Sequence, residues 1–592
     1  MKSFLKFTLA TIVGITFSVI LLIGLLAAII GIASSSSDKE VKIKENSILK
    51  LNLSQPILDH TTDNPFENFD FGSFTVISFL GLDDILDNIK KAKTDDKIKG
   101  IYMQLSGIQS GFANLKEIRE ALIDFKESEK FIITYAEGYS QASYYLASVA
   151  DEVHLFPEGD FDLRGLYTEL MFFKGALDKL GVEAQIFRGP GNKFKSAVEP
   201  FMYDKMSESS KEQVFRFLNV FWEEWLDVVS ADRSLDKDSI QVWADDVRVR
   251  MASNALELGL VDKLSYMSEV ESLLKEKSER ESDEDLRFVS LSKYNKSADS
   301  FKSKEWKIKD KVAVIYAEGA IVSGNGDQGE IGSVKLTKQI NKAAKDSTIK
   351  AIVLRVNSPG GSALASEVIW KATQEAKAKK PFVVSMGNVA ASGGYYIACG
   401  ADKIYADVNT VTGSIGVFAM IPNMQEMFND KLGVTFDGVK TSRNADMISI
   451  ARPINEQGRE VIQDGIDHIY NLFTQRVADG RGLDIAMVDS LARGRVWAGG
   501  DAFDSKLVDE LGGLNQAIAF AAEKAGLENY KIKDFPEKKD PFEQIMQELN
   551  GQTSLRLMKS ILGDDYRVYQ QLSAIRKMEG YQARLPYEIN VW

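Results

Sequence analysis

The amino-acid sequence predicts an α/β protein made of two tandem copies of one domain, with an N-terminal transmembrane helix and a helical C-terminal tail. Three observations support this prediction: a long uncharged run near the N-terminus, an alternation of β-rich and helical segments, and matching short segments in the two halves. Alternating strands and helices are typical of βαβ units, whose strands form a parallel sheet. A chain of 592 residues also exceeds what one hydrophobic core usually organises, so we expect at least two domains.

The N-terminal run 7–33 is the clearest physical feature of the sequence, because it contains no charged residue. At about 1.5 Å per residue, a helix of this length crosses a hydrocarbon core of about 30 Å. Lys2 and Lys6 precede the run, so the positive-inside rule places the N-terminus in the cytoplasm and the body of the chain on the opposite side. A cleaved signal peptide is the alternative, but its apolar core is usually only about 7–15 residues long. We therefore predict a retained anchor within 1–40.

The second half of the chain repeats the first. Short segments recur in the same order and at nearly constant separation: 144–147 and 395–398, 178–182 and 430–434, 242–244 and 496–498, and 260–264 and 507–511. Collinear matches of this kind indicate a duplication with small loop insertions. The predicted domains are a first repeat at 41–278, a charged and serine-rich linker at 279–307, a second repeat at 308–530 and a helical tail at 531–592.

Composition excludes several classes of function. The formal net charge of −13, from 72 basic and 85 acidic residues, provides no general attraction to phosphate backbones, so nucleic acid is not an expected partner. Cys399 is the single cysteine, which rules out an internal disulfide and a multi-cysteine metal site. The three histidines, His60, His154 and His468, lie in no recognisable catalytic setting, and we expect neither a metal nor a cofactor. A hydrolase with this sequence would need another general base.

Two short motifs in the second repeat follow successive predicted strands. The first is a turn that contains Gly360 and Gly361, where backbone N–H groups can approach a ligand at the start of a helix. The second contains Ser392 at the start of the next helix, followed by Gly393 and flanked by small residues that leave a nucleophile accessible. Each motif has an ordinary alternative, a structural turn and a serine N-cap respectively. Because ligands of parallel sheets bind at the carboxyl ends of strands, the two motifs together favour a nucleophile beside an oxyanion hole.

The two repeats are complementary in their polar residues. At the position of Ser392 the first repeat has Gln141, so that repeat lacks the candidate nucleophile. The first repeat instead has Lys195, between Phe194 and a run of small and apolar residues, and the second repeat has no lysine at the matching place. A lysine can act as a general base if burial lowers its pKa from about 10.4 towards neutrality. The alternative, a solvated surface lysine, stays open on this argument alone.

Four segments, 194–201, 357–362, 390–395 and 412–416, closely resemble the long, internally duplicated form of the signal peptide peptidase A family, also called protease IV. The resemblance extends over nearly the whole chain. It implies a Clp protease and crotonase type of fold in each repeat. It also implies a Ser–Lys dyad endopeptidase that degrades the signal peptides left in the membrane after preprotein processing.

The same resemblance assigns roles to individual residues. Ser392 falls on the family's nucleophile, Lys195 on its general base, and Ser414 on the serine that orients this lysine. The oxyanion hole falls on three glycines of the motifs described above: Gly360, Gly361 and Gly393. The implied location is a bacterial inner membrane, with a single span and the catalytic body on the periplasmic side. The implied partners are remnant signal peptides, other apolar peptides and three further copies of the chain in a homotetramer.

Two non-proteolytic functions are also compatible with the sequence. One is a crotonase-like binding scaffold, since that fold also binds acyl thioesters through glycine turns. The other is a pseudoenzyme chaperone that holds apolar segments without cutting them. The binding scaffold requires neither Lys195 nor a membrane anchor, so both features favour the peptidase.

Overall fold

The structure, a computed structural model, describes residues 41–61, 69–70, 75–76, 79–105, 107–297, 308–327, 329–536 and 580–585, with isolated positions before residue 41. The predicted anchor 7–33 therefore lies outside the described residues, apart from Gly14 and Phe17. In the part of the chain that is described, no helix is both long and apolar enough to cross a bilayer.

Strands and helices alternate through the first repeat, as its hydrophobic pattern predicts. Its elements, in chain order, are β1 (Ser47–Asn52), β2 (Ile57–Leu58), β3 (Phe69–Asp70), β4 (Thr75–Val76), β5 (Leu80–Gly81), α1 (Leu82–Thr94), β6 (Ile98–Gln104), α2 (Phe112–Lys126), β7 (Phe131–Tyr139), α3 (Gln141–Ala147), β8 (Glu152–Phe161), α4 (Lys174–Leu180), β9 (Glu183–Arg188), a 3₁₀ turn (Ser196–Val198), α5 (Glu199–Met202), α6 (Glu208–Arg233), α7 (Lys237–Asp245), α8 (Ala252–Glu257), β10 (Lys263–Leu264), α9 (Met267–Lys277), β11 (Phe288–Ser290) and α10 (Leu291–Asn295). Six of the strands form one sheet in the order β10-β8-β7-β6-β1-β11, and each neighbouring pair is parallel.

The second repeat follows the same plan. Its elements are β12 (Lys311–Glu318), β13 (Ala320–Val322), β14 (Glu330–Gly332), α11 (Ser333–Lys345), β15 (Ile349–Ser358), β16 (Gly360–Ser362), α12 (Ala363–Lys377), β17 (Phe382–Ala391), α13 (Gly393–Ala398), β18 (Lys403–Ala406), β19 (Val411–Gly413), β20 (Phe418–Asn423), a π-helical turn (Met427–Lys431), α14 (Glu456–Arg481), α15 (Ile485–Leu491), β21 (Val496–Ala498), α16 (Gly499–Asp504), β22 (Glu510–Leu511), α17 (Leu514–Lys524) and β23 (Lys531–Phe535), and β24 (Gln582–Arg584) follows in the tail. Its main sheet runs β21-β19-β17-β15-β12-β23, with β18 beside β17 and β22 beside β18.

The two main sheets match strand for strand. The path β22-β18-β17-β15-β12-β23 in the second repeat corresponds to β10-β8-β7-β6-β1-β11 in the first. Individual hydrogen bonds also recur: Ile132 N donates to Asp151 Oδ2 at 2.8 Å, and Phe382 N donates to Asp402 Oδ2 at 2.8 Å. The predicted duplication and the predicted parallel α/β architecture are therefore confirmed.

Three details of the sequence-based description are wrong. The matched tripeptides 242–244 and 496–498 are not equivalent, because the first lies in α7 and the second forms β21. The predicted linker 279–307 contains β11 and α10, which belong to the first repeat because β11 pairs with β1. The predicted helical tail 531–592 begins with strand β23, the counterpart of β11, and contains strand β24, whereas 537–579 and 586–592 lie outside the described residues. Strands β11, β23 and β24 have only three, five and three residues, which is too short for an alternating hydrophobic pattern to identify them from the sequence.

A third sheet joins the two repeats, in the order β14-β13-β16-β24-β20-β9. Strand β9 of the first repeat pairs antiparallel with β20 of the second, with Arg188 opposite Phe418 and Glu183 opposite Asn423. Because β9 lies on the second repeat, the residues that follow it along the chain are also carried there. The pairing of β9 with β20 thus brings 189–198 to the carboxyl ends of the second repeat's strands.

A buried ion cluster also fixes the two repeats against each other. Arg355 on β15 places Nη2 3.2 Å from Asp59 Oδ1 and 2.6 Å from Glu117 Oε1, and both carboxylates come from the first repeat. All three side chains are buried. Removing one partner of such a cluster typically costs about 3–5 kcal/mol, because a charge is left uncompensated. The cluster therefore helps to hold the repeats in the arrangement that the site requires.

Candidate active site

Ser392 occupies the sharp turn between strand β17 and helix α13. Its backbone has φ 55° and ψ −112°, a conformation that residues with side chains rarely adopt. Two hydrogen bonds hold the turn: Ser392 N donates to Gly413 O at 2.8 Å, and Tyr396 N donates to Ser392 O at 2.8 Å. A strained strand-to-helix turn of this kind is typical of a serine nucleophile at the carboxyl end of a parallel strand.

The segment that follows β9 brings Lys195 into direct contact with Ser392. Lys195 Nζ lies 2.8 Å from Ser392 Oγ, 2.9 Å from Ser414 O and 3.0 Å from Ser414 Oγ. A neutral amine has two N–H donors and one lone pair. The two contacts with Ser414 can therefore take the donors while the lone pair accepts the hydroxyl proton of Ser392. In this arrangement the amine can remove a proton from the serine.

The environment of Lys195 favours its neutral form. The side chains of Lys195, Ser392 and Ser414 are all fully buried. Burial lowers the pKa of the Lys195 amine well below its ordinary value, because the ammonium form loses its hydration, and burial is the sole cause of the shift. A nearby carboxylate would have raised this pKa again. The site can therefore supply an unprotonated amine as a general base.

Gln213 on α6 holds the residues on both sides of Lys195. Its Nε2 donates to Phe194 O at 3.1 Å and to Ser196 Oγ at 2.8 Å. Its Oε1 accepts from Val496 N at 3.1 Å, on strand β21 of the second repeat. One buried amide thus ties the lysine segment to the repeat that carries the nucleophile.

Gly494 allows the backbone of Lys195 to approach closely. A Cβ at position 494 would lie 2.5 Å from both Lys195 N and Lys195 Cβ, which is closer than real contacts allow. The φ of Gly494 is also +80°, in the region that favours glycine. Gly494 N donates to Ile415 O at 2.8 Å and fixes the turn beside Ser414.

Two of the three predicted oxyanion glycines meet at Ser392. A Cβ on Gly393 would lie 3.1 Å from Gly360 Cα, so these residues pack directly against each other. Gly360 N donates to Ser358 Oγ at 3.2 Å, whereas Gly393 opens α13, and the first amides of a helix have no acceptor within the helix. Gly361 is turned towards β13, where a Cβ would lie 2.0 Å from Ile321 O. Of the three, Gly393 N is the best placed oxyanion donor.

The described end of the tail lies across these glycines. Strand β24 pairs antiparallel with β16 on one side and with β20 on the other, so it fills the slot between them. Ala583 O would lie 2.2 Å from a Cβ on Gly360 and 3.0 Å from a Cβ on Gly393. Ala583 and Leu585 are buried. The slot beside Ser392 therefore accommodates a chain in extended conformation.

The matching place in the first repeat is filled by Gln141. Its Oε1 accepts from Arg164 N at 3.0 Å and from Gly165 N at 2.8 Å, and its Nε2 donates to Gly165 O at 2.9 Å. These bonds engage both ends of the amide. The first repeat contributes the lysine to the site, but it has Gln141 at the position of Ser392, and the preceding Ser140 caps α3 by accepting from Ser143 N at 3.2 Å. In the described part of the chain, no group of His, Cys, Asp and Glu residues could hold a metal ion.

Three of the residues that build the site were not identified from the sequence: Gln213, Ser358 and Gly494. Gly494 offered a weak signal, since a glycine between Arg493 and Arg495 indicates a turn with a special backbone conformation. Gln213 offered none, because it reaches the lysine segment only through the packing of α6.

Comparisons with known proteins agree with this geometry. The family model described as peptidase family S49 matches residues 124–281 and 374–528, and a model described as Clp protease matches residues 303–414. Protease 4 of Haemophilus influenzae is 38% identical over 444 residues, which cover 74% of this chain and 71% of that protein. Protease 4 of Salmonella typhi is 36% identical over 488 residues, covering 81% and 77% respectively. The chloroplastic serine protease SPPA of Arabidopsis thaliana is 30% identical over 554 residues, covering 92% and 78%.

Proposed function

This chain belongs to peptidase family S49 and is a serine protease, and on that premise we propose that it is a membrane-anchored endopeptidase with a composite Ser–Lys dyad. Ser392 of the second repeat is the nucleophile, and Lys195 of the first repeat is the general base. The observation that carries the proposal is the 2.8 Å contact between Lys195 Nζ and Ser392 Oγ. In this site burial is the one cause that shifts the pKa of the lysine amine, and it lowers that pKa. The S49 membership argues against a binding scaffold or a chaperone.

The proposed mechanism has two steps. Ser392 Oγ attacks the scissile carbonyl carbon while its proton passes to Lys195 Nζ, and the carbonyl oxygen becomes an oxyanion that Gly393 N can stabilise. The tetrahedral intermediate collapses, the amine product leaves with the proton from Lys195, and an acyl-enzyme ester forms on Ser392. Lys195 then removes a proton from water as the water oxygen attacks the ester carbon; the bond from that carbon to Ser392 Oγ breaks, Lys195 returns the proton to Oγ, and the carboxylic acid product leaves.

The proposed substrates are extended, apolar peptides, among them signal peptides that remain in the membrane after processing. Strand β24 supports an extended binding mode, because it lies as a strand between β16 and β20 with Ala583 and Leu585 buried. The uncharged run 7–33 supports presentation at the membrane, since an anchor holds the catalytic body close to its outer surface. We propose the same topology as above: a single span, with the catalytic body outside the cytoplasm.

Peptide hydrolysis by the full chain in mild detergent tests this function. We expect cleavage of a quenched fluorescent peptide with an apolar centre and much slower cleavage of a matched peptide with alternating Lys and Glu. A fluorophosphonate should label the chain, and peptide mass analysis should locate the adduct on Ser392. Cutting confined to folded, charged proteins would contradict the substrate class, and an adduct on another serine would contradict the nucleophile.

Ser414→Ala is expected to lower kcat by about 10²-fold with little change in KM, because the hydroxyl that positions the general base is lost. The backbone contact of Lys195 Nζ with Ser414 O, at 2.9 Å, stays available and explains why the loss is partial. The matched control is Thr373→Ala, which removes a buried hydroxyl that donates to Trp370 O on its own helix. An unchanged rate in Ser414→Ala would make this hydroxyl structural only.

Gly494→Ala is expected to lower kcat by about 10²-fold, because the added methyl displaces the Lys195 backbone and a shift of about 1 Å can cost that much. The matched control is Gly482→Ala, since Gly482 has a φ of +63° and open space around its Cβ position. Both variants carry the strain of a left-handed alanine, so a loss of activity confined to Gly494→Ala isolates the contact with Lys195. Equal activities in the two variants would rule out this positioning role.

A further inference from the structure

Strand β24 shows the register in which an extended chain lies beside the nucleophile. In the antiparallel ladder of β16 and β24, Gly361 lies opposite Ala583. Two residues further along the same ladder, Ala363 N donates to Tyr581 O at 3.1 Å. The backbone pairing therefore fixes which residue of an extended chain occupies each place along the slot.

The carbonyl group of Ala583 faces the oxyanion glycines. Ala583 O would lie 3.0 Å from a Cβ on Gly393, whose N–H is the best placed oxyanion donor. A substrate in the same register would present its scissile carbonyl at this place, because the oxyanion forms on the carbonyl that Ser392 attacks. Tyr581 then marks the place of the third residue before the scissile bond.

The side chain of Tyr581 enters a space that Gly465 leaves open on helix α14. A Cβ at position 465 would overlap Tyr581 Oη and would lie 2.5 Å from Tyr581 Cζ, so the ring reaches the helix only because this residue is glycine. Tyr581 also packs against the hydrophobic core of the second repeat, which includes Ile462 and Ile466 of the same helix. An aromatic ring therefore fits against α14 at this point.

The helix itself does not require a glycine at position 465. Gly465 lies in the interior of α14, Glu456–Arg481, where glycine is less favourable than alanine. Its backbone is helical, so no left-handed φ explains the residue. The close approach of the Tyr581 ring is the feature of the structure that does explain it.

The first repeat supplies its own aromatic ring at the equivalent place. Helices α6 and α14 are both 26 residues long, and aligning their N-caps, Ser207 and Asn455, makes Phe217 the counterpart of Gly465. The same alignment pairs buried residues of the two helices: Val214 with Ile462, Trp222 with Tyr470, and Trp225 with Phe473. Phe217 is buried. In the second repeat the helix provides no ring here, and the ring comes from the extended chain in the slot.

We propose that Gly465 is a specificity-determining residue, which opens a subsite for an aromatic side chain at the third residue before the scissile bond. The proposal rests on the proposed function, since attack by Ser392 defines which bond is cut. Tyr581 fills the subsite while the tail lies in the slot, and a peptide substrate that takes the place of the tail inserts its own ring. Burial of the ring against α14 favours an aromatic residue over a small one.

Hydrolysis of two matched quenched peptides by the full chain in mild detergent tests the proposal. One peptide carries the tail sequence Gly-Tyr-Gln-Ala-Arg-Leu, and the other has Ala in place of Tyr. We expect both to be cut between Ala and Arg, with kcat/KM at least tenfold higher for the tyrosine peptide. In Gly465→Ala the added methyl takes the space of the ring, so this ratio should fall to about one. Competition from the tail affects both peptides equally and cancels from the ratio.

The matched control is Gly175→Ala in helix α4, where a Cβ would have no neighbour within 4 Å. This variant should keep the tenfold ratio, and both variants should fold, because alanine favours a helix more than glycine does. A ratio near one in the native chain, an unchanged ratio in Gly465→Ala, or cleavage at another bond would overturn the proposal. Failure of the proposed function gives a different result, the loss of hydrolysis of both peptides, and it would overturn the subsite as well.

Binding provides a second measurement that does not depend on turnover. In Ser392→Ala, the tyrosine peptide should bind with a Kd at least tenfold lower than that of the alanine peptide. Adding Gly465→Ala to this variant should remove the difference. Equal dissociation constants for the two peptides in Ser392→Ala would contradict the subsite.

Discussion

Ser392→Ala is expected to reduce kcat for peptide hydrolysis by at least about 10⁴-fold, because loss of a serine nucleophile leaves only binding and oxyanion stabilisation. This factor corresponds to about 5.5 kcal/mol of activation free energy. The substitution removes the attacking atom and leaves the contacts of Lys195 Nζ with Ser414 O and Ser414 Oγ. Rates on a quenched apolar peptide measure the effect. Activity above a few per cent of the native rate would remove Ser392 from the mechanism.

The matched control for this variant is Ser234→Ala. Ser234 has φ 54°, almost the same as the 55° of Ser392, and it ends α6 away from the site. The ψ angles differ, −112° at Ser392 and 41° at Ser234, but both substitutions keep the Cβ, so neither adds backbone strain that the native serine does not already bear. Full activity in Ser234→Ala together with inactivity in Ser392→Ala would assign the effect to the lost hydroxyl.

The sequence predicts those parts of the site that depend on short motifs or on differences between the two repeats. The glycine turns and Ser392 lie at strand-to-helix boundaries that the hydrophobic pattern locates, and the absence of a serine at Gln141 follows from the duplication alone. Lys195 could be selected because it has no counterpart in the second repeat. The physical basis of these predictions is that short motifs and internal matches need no knowledge of tertiary packing.

Other parts of the site depend on packing and could not be predicted. Gln213 contacts the lysine segment only because α6 crosses the boundary between the repeats. The place of β24 beside Gly360 depends on a tail that returns to the sheet from far along the chain. The false match of 242–244 with 496–498 shows the converse, since three identical residues can form a helix in one repeat and a strand in the other.

Lys195→Ala is expected to be nearly as inactive as Ser392→Ala, with a loss of at least about 10³-fold in kcat, because among the described residues no other basic side chain contacts Ser392 Oγ. The double variant should be little worse than either single variant, since residues that act as one unit are not additive. The matched control is Lys193→Ala, which removes an exposed lysine two residues earlier in the same segment. A double variant whose loss equalled the product of the two single losses would contradict a shared mechanism.

The pH dependence of kcat/KM should follow the protonation of the Lys195 amine. Since the base must be unprotonated, kcat/KM should fall about tenfold per pH unit below the pKa of Lys195, which burial lowers well below its ordinary value. Conversely, an activity that rises only near pH 10 would show that the amine keeps its ordinary pKa.

Stability should change with pH in the same direction. Between the lowered pKa of the folded state and about 10.4 in the unfolded state, the unfolded chain binds one more proton at Lys195, so this group's contribution to the free energy of unfolding rises with pH. Lys195→Met removes that titration while retaining an unbranched side chain of similar length. The melting temperature of Lys195→Met relative to the native chain should therefore be highest at neutral pH and should fall as the pH approaches 10. A difference that stays constant over this range would mean that the folded and unfolded states bind the proton equally, and Lys195 could not then be the neutral base of the dyad.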